Sequence, residues 1–252
     1  MKSEAYKPAF TTIAPYYDTL MSFVNYPAWV TYIENILGLH NIQEKRIFDL
    51  ACGTGICLEL WSKRGYAVFG LDKSMEMLSV CKERFVYLQD GAVNLVNGDM
   101  RQFGFSSKLP IITCLYDSLN HLITVDDLFS CLQSVYDTLD TGGIFIFDMN
   151  TIHCLRDEWG NSTFYRRDGN IDSIWSNTLD LATYISTLKL TLKIEENGAT
   201  KTANEFHQER GYRLSLVKDM LAKVGFRVNL YQHLTLEPAQ ESNLRIMGVA
   251  EK

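Results

Sequence analysis

No apolar run in the chain approaches the roughly 20 residues that a membrane-spanning helix requires, and no apolar h-region follows Lys2. A soluble, cytoplasmic protein with no membrane partner is therefore expected. Runs of Lys or Arg long enough to track a phosphate backbone are also lacking. With 24 basic against 30 acidic residues and a net charge of -6, nucleic acid is not the expected partner. Close CxxC pairs are absent: Cys52, Cys57, Cys81, Cys114, Cys131 and Cys154 sit mostly in apolar patterns, as reduced, buried thiols do, so neither disulfides nor a zinc site are expected. Repeats, low-complexity tracts and linkers are missing as well, which argues for a single core. What is present is enough apolar material to build it, 46% hydrophobic against 21% charged residues.

Between Arg46 and Asp148, short apolar runs alternate with longer amphipathic ones, the pattern of strands and helices around a parallel sheet. Strands are predicted at 47–50, 67–71, 93–96, 111–116 and 144–147, with helices at 55–63, 75–85 and 126–139. Right-handed crossovers place the carboxyl ends of these strands on one edge, where ligands bind. Residues 1–40 are rich in aromatics, from Tyr6 and Phe10 to Trp29 and Tyr32, with Trp29, Ile33 and Ile36 at helical spacing; they read as a helical lid. After Asn150 the pattern alternates over 171–177, 181–194 and 201–209, and Asn197-Gly198 supplies a hairpin turn. A helix at 215–224, stopped by Gly225, and strands at 227–231 and 245–250 complete the chain. The expected architecture is α/β: a Rossmann-like, doubly wound, seven-stranded sheet with an N-terminal helical lid and an inserted antiparallel sheet. The core spans 41–150 and 213–252, and the insertion 151–212.

The strongest chemical signal runs from Ile47 through Asp49, Ala51 and Gly53 to Gly55, an apolar strand entering a glycine turn that opens a helix. A Cβ at Gly53 or Gly55 would occupy ligand space or forbid the turn. A dinucleotide fingerprint would place a third glycine at 58, where Leu58 stands, so a nicotinamide-dependent oxidoreductase is disfavoured. Asp49 fits poorly beside a pyrophosphate but suits an ammonium group, such as that of S-adenosylmethionine. Asp72 closes the second strand, where a carboxylate can hold both ribose hydroxyls; alone it could equally cap the next helix. Asp99 and Met100 follow the third strand, placed to contact an adenine, although Asp99 alone could be an ordinary turn residue. The fourth strand ends in Tyr116, Asp117, Ser118, Leu119, Asn120 and His121. His121 can serve as a general base or simply order its loop. Glu205, His207, Gln208, Arg210 and Tyr212 close the insertion; alternation puts Glu205, His207 and Glu209 on one strand face, where a solvated face is the alternative. The aromatic lid is either a packing surface or a cover that attracts a sulfonium cation and excludes water.

With these residues in hand, the chain resembles the class I S-adenosylmethionine-dependent methyltransferases over nearly its whole length. Asp49 to Gly55 match the family's first motif, Asp72 to Leu78 its second, and Gly98 to Arg101 its adenine-contacting turn. Tyr17-Asp18 and His121 are similar to the lid motif and the post-strand histidine of sugar N,N-dimethyltransferases. Lys73 departs from the residue type common after the ribose aspartate. The resemblance implies S-adenosyl-L-methionine as cofactor, held by Tyr17, Tyr26, Trp29, Asp49, Ala51, Gly53, Gly55, Asp72, Lys73, Met77, Asp99, Met100, Leu115, Tyr116 and Asp117. It implies a small-molecule acceptor near Tyr17, Asn120, Trp175 and Arg210, with its proton taken by His121, or by His207 with Tyr212, and no metal. Transfer to nitrogen or oxygen, a nucleotide-linked amino sugar as acceptor, a non-catalytic S-adenosylmethionine-binding protein, and a homodimer all stay open at this stage.

Overall fold

The strands of the core are apolar on both faces because both faces are covered. In the computed structural model, which describes residues 7–86 and 93–252, neighbouring residues divide between two helical layers. Ile47, Ile111, Ile144 and Ile146 pack with α2 (Tyr26–Leu39), α3 (Ile56–Lys63) and α4 (Met75–Val86). Phe48, Ile112, Phe145 and Phe147 pack with α5 (Val125–Thr138) and α6 (Leu214–Val224). The strands are β2 (Arg46–Leu50), β3 (Ala67–Asp72), β4 (Asn94–Asn97), β5 (Leu109–Cys114), β6 (Leu139–Asn150), β11 (Arg227–Gln232) and β12 (Arg245–Glu251). They form one sheet in the order β11-β12-β6-β5-β2-β3-β4, in which β12 runs antiparallel to both its neighbours. Chain order reverses beside β2, between β3 on one side and β5 on the other, and this opens the crevice in which ligands of such sheets bind.

A second sheet has the order β1-β10-β9-β8-β7, built from β1 (Lys7–Pro8), β7 (Thr163–Asp168), β8 (Ile171–Asp180), β9 (Ile185–Glu196) and β10 (Ala199–Arg210). The hairpin at Asn197-Gly198 has positive φ at both residues, 52° and 76°, as its turn type demands. Three features depart from the sequence reading. The strand expected from 181 starts at Ile185, because Asp180 accepts the Ala182 N–H and the Thr183 hydroxyl and bends the chain. The edge strand β7 carries no clean alternation and went unread. The N-terminal segment is not a purely helical lid: β1 joins the second sheet parallel to β10, and α2 is part of the core, with Trp29, Val30, Ile33 and Ile36 buried against Ile47 and Trp61. What lies over the crevice is residues 8–11 and Tyr17, the first residue of α1 (Tyr17–Leu20), with Tyr26 of α2; Tyr6 lies outside the described residues. All six cysteines are buried free thiols. Among the described residues no helix is long and apolar enough to cross a membrane.

One buried polar knot joins these parts. Asp148, on β6, accepts the N–H groups of Tyr116 (2.5 Å) and Asp117 (2.9 Å), both at positive φ, 60° and 55°. Arg245, from β12, donates to Asp148 at 2.5 Å and to Asp117 at 3.1 Å. Asn120 donates to the carbonyls of Asn150 and Arg210, so the turn after β5 is bound to the ends of both β6 and β10. Burial pushes the Asp148 carboxyl up to about 6 even with Arg245 beside it. Arg245→Met should therefore cost about 3–5 kcal/mol at neutral pH by orphaning a buried charge. The raised carboxyl destabilises the fold as pH rises through its titration, so the loss should shrink near about pH 5, where Asp148 is protonated. Denaturant unfolding at the two pH values checks this, and equal losses at both would contradict it.

Candidate active site

The glycine turn at the end of β2 needs left-handed backbone at Ala51, Gly53 and Gly55 (φ 54°, 55° and 79°). The two glycines serve different ends. Among the described residues, a Cβ on Gly53 would meet no atom beyond its chain neighbours within 4 Å, which leaves the space over the turn open to a ligand. One on Gly55 would stand 2.3 Å from Cys81 Sγ, so Gly55 lets α3 pack on α4. The turn opens on a cavity of about 1070 Å³ whose wall includes Asp49, Ala51, Gly53, Asp72, Lys73, Met77, Asp99, Met100, Leu115, Tyr116 and His121, with Tyr17, Tyr26 and residues 8–11 over it and Thr187, Phe206 and Gln208 from the second sheet.

Asp72 is half-buried; its carboxylate accepts the Gly53 and Ser74 N–H groups, each at 2.8 Å. Burial raises its pKa, and these bonds draw it back. The cap of α4 is Ser74, whose Oγ accepts the Met77 N–H, so Asp72 is not spent on capping. Asp49 is 3% exposed and accepts the Thr113 hydroxyl at 2.6 Å. Burial pushes its carboxyl up to about 7 against the pull of that bond. At the far end, Asp99 takes Lys73 Nζ (3.1 Å), Arg101 Nη2 (2.7 Å) and the Arg101 N–H (3.0 Å), which hold it well below the usual carboxylate range.

His121 faces the opposite wall. Its Nδ1 lies 2.9 Å from the Gln208 carbonyl, which can only accept, so Nδ1 carries the proton and Nε2 a free lone pair. Although half-buried by surface, the ring is packed against Phe10 and β10, and this desolvation lowers its pKa and keeps it neutral. The covering segment is latched down: Asp18 accepts the Thr54 hydroxyl (2.6 Å) and pairs with Arg84, which also donates to the Thr54 carbonyl (2.9 Å) and to Glu59 (2.7 Å).

Several residues read as ligand-facing stand elsewhere. The Tyr212 hydroxyl donates to the Leu122 carbonyl, and burial raises the phenol to about 12; it does not line the cavity. His207 is buried with Nε2 3.1 Å from Glu205, its ring 6.5 Å from that of His121, and it too is outside the wall. Arg210 donates to the Ile123 carbonyl, Asn120 is consumed by backbone bonds, and Asp117 pairs with Arg245. Trp29 packs behind Tyr116. The Trp175 indole donates to Ser173. Phe10 was read only as one aromatic of the lid and not as part of the wall, and Thr11, also in the wall, was missed because it carries no local signal.

Residues 47–143 match the family model described as methyltransferase domain. The chain is 30% identical over 86% of its length, and 85% of the relative's, to "Putative methyltransferase YqeM" of Bacillus subtilis. It is 27% identical over 58% of its length and 60% of the relative's to a dTDP-3-amino-3,4,6-trideoxy-alpha-D-glucopyranose N,N-dimethyltransferase of Streptomyces venezuelae. Among solved structures, an S-adenosylmethionine-dependent methyltransferase from Clostridium acetobutylicum superposes with a TM-score of 0.86 at 26% identity, covering 95% of this chain and 97% of that one. The chain belongs to the class I S-adenosylmethionine-dependent methyltransferases. Its cofactor is S-adenosylmethionine, and its reaction is methyl transfer from it.

Proposed function

We propose that the chain methylates a nitrogen or oxygen of a small molecule, with His121 accepting the proton that the nucleophile loses. The observation that supports this best is the Nδ1–H bond from His121 to the Gln208 carbonyl, which leaves the other nitrogen of an imidazole in the cavity wall unprotonated and free to accept. When bound, S-adenosylmethionine supplies an electrophilic sulfonium methyl group. Asp72 would hold the ribose hydroxyls and Asp49 the ammonium group, while Met100 would pack on the adenine and the open face of Gly53 would give the cofactor's backbone-hugging portion room. Charge is dispersed in such a displacement, so alignment in a dry space matters most. Tyr17, Tyr26 and Tyr116 supply that enclosure, and their faces suit a sulfonium cation.

The relative from Streptomyces venezuelae suggests an amino sugar as acceptor. A nucleotide-linked form fits less well, because the two cationic side chains in the described wall, Lys73 and Arg101, are both engaged by Asp99. A net charge of -6 and carboxylates along the cavity favour a small molecule over nucleic acid, and six free, buried thiols suit the cytoplasm.

Two outcomes test these assignments. An ammonium group pairs with ionised Asp49, whose carboxyl titrates at about 7. Affinity for S-adenosylhomocysteine, measured by calorimetry, should fall as pH drops below about 7, towards about tenfold per unit, and Asp49→Asn should flatten that dependence; an unaltered slope would remove Asp49 from the ammonium site. His121→Ala should lower turnover by about 10²- to 10⁴-fold with cofactor affinity nearly unchanged. At saturating S-adenosylmethionine, wild-type turnover should fall with acid only below the ordinary imidazole range, since burial lowers the His121 pKa. Near-normal turnover in the variant would end its role as base.

A further inference from the structure

Residues 8–11 line the mouth of the cavity as a strap that continues to Ile13, and one buried carboxylate gathers the amides of residues 10–13. Glu205 is fully buried on β10. Its Oε2 accepts the Phe10 N–H at 2.8 Å; its Oε1 accepts those of Thr11 (3.0 Å), Thr12 and Ile13 (2.9 Å), together with the Thr12 hydroxyl at 2.7 Å. Burial alone would raise this carboxyl, but His207, Thr12 and the Ile13 N–H hold it down at about 2, so it is ionised. From the core side, the Ser74 hydroxyl donates to the Phe10 carbonyl at 2.6 Å, and the N–H of the same serine is held by Asp72. Phe10 thus has both backbone groups held while it sits at φ 62°, a conformation that a residue with a Cβ adopts only when its surroundings impose it. The consequence falls on the ring, which stands edge-on to His121 at 5.2 Å and to His207 at 4.8 Å. Among the described residues, the hydrogen-bond partner of His121 is the Gln208 carbonyl.

We propose that Glu205 is a positioning residue for methyl transfer: by binding the amides of residues 10–13 it seats the Phe10 ring against His121 and so keeps that imidazole in place in the cavity wall. The proposal rests on His121 as proton acceptor. A carboxylate that merely stabilised the insertion would leave the His121 environment alone. The titratable groups that face His121 are Asp117, from the turn before it, and His207, from β10; the strap brings an apolar ring and no charge. Loosening the strap therefore admits water to the imidazole, whose pKa then rises towards its ordinary value. Loss of the negative charge on Glu205 would by itself act in the opposite direction.

The test is an NMR titration of the His121 imidazole, assigned by its loss in His121→Asn, in protein saturated with S-adenosylhomocysteine, alongside turnover. Glu205→Gln should shift the His121 midpoint upward and lower turnover by about 10- to 100-fold, as misplacement of a reacting group does. Phe10→Ala, which keeps the Glu205 charge and replaces only a half-buried side chain, should shift it the same way and carries the test if Glu205→Gln does not fold. A midpoint that stays or moves downward in either folded variant overturns the proposal, as does an upward shift with normal turnover. Failure of His121 as base is read separately, from the turnover of His121→Ala.

Discussion

The turn after β5 carries two consecutive residues in left-handed backbone, Tyr116 and Asp117, and it holds that shape because Asp148 takes both of their amides. The rest of the site depends on this contact. Tyr116 becomes part of the cavity wall, the following 3-10 turn delivers His121 to the opposite side, and Asn120 fastens the same turn to the last residue of the inserted sheet. A buried carboxylate in such a place needs compensation, and Arg245 supplies it from β12, which in the seven-stranded sheet runs against both its neighbours. The reversed strand therefore joins β11 to β6 and also completes the electrostatics of the turn that lines the cavity. Arg245 in turn lies 5.0 Å over the Tyr116 ring, so one guanidinium neutralises the carboxylates and backs the aromatic wall.

Around that knot the cavity is polarised. Its glycine turn and the carboxylates Asp49, Asp72 and Asp99 lie at or just beyond the ends of β2, β3 and β4, Glu76 and Asp127 come from α4 and α5, and among the described residues the imidazole in the wall, that of His121, comes from the turn beyond β5. The second sheet contributes Thr187, Phe206 and Gln208 and, through the Gln208 carbonyl, the tautomer of His121. The insertion thus reaches the chemistry through its backbone as much as through its side chains. The strap from the N-terminus is fastened to both the insertion and the core, by Glu205 and by Ser74, so the cover over the cavity belongs to neither part alone.

What was legible in the sequence was what is local. Asp49, Gly53, Asp72 and Asp99 each stand within three residues of a strand's carboxyl end, and a parallel sheet brings the ends of successive strands together whatever the side chains between them. Direction was less legible. Tyr212, Arg210, Asn120 and Trp29 sit beside ligand-facing segments and are polar or aromatic, but polarity does not tell whether a side chain turns towards a cavity or back into backbone carbonyls. Least legible were the pairings across long separations. Glu205 and Phe10 are 195 positions apart and Arg245 and Asp148 are 97 apart, and no periodicity relates them. The strand β1 was invisible for the same reason: two residues acquire strand geometry only because β10 lies beside them.

The central claim is that donor and acceptor meet in one cavity between the glycine turn and His121. A crystal structure of the chain with S-adenosylhomocysteine tests it most directly. The account predicts ribose hydroxyls on Asp72, the amino group towards Asp49, and the sulfur directed into the space between Tyr17 and His121, beneath the strap. A ligand whose ribose lies away from Asp72, or whose sulfur points away from His121, would contradict it.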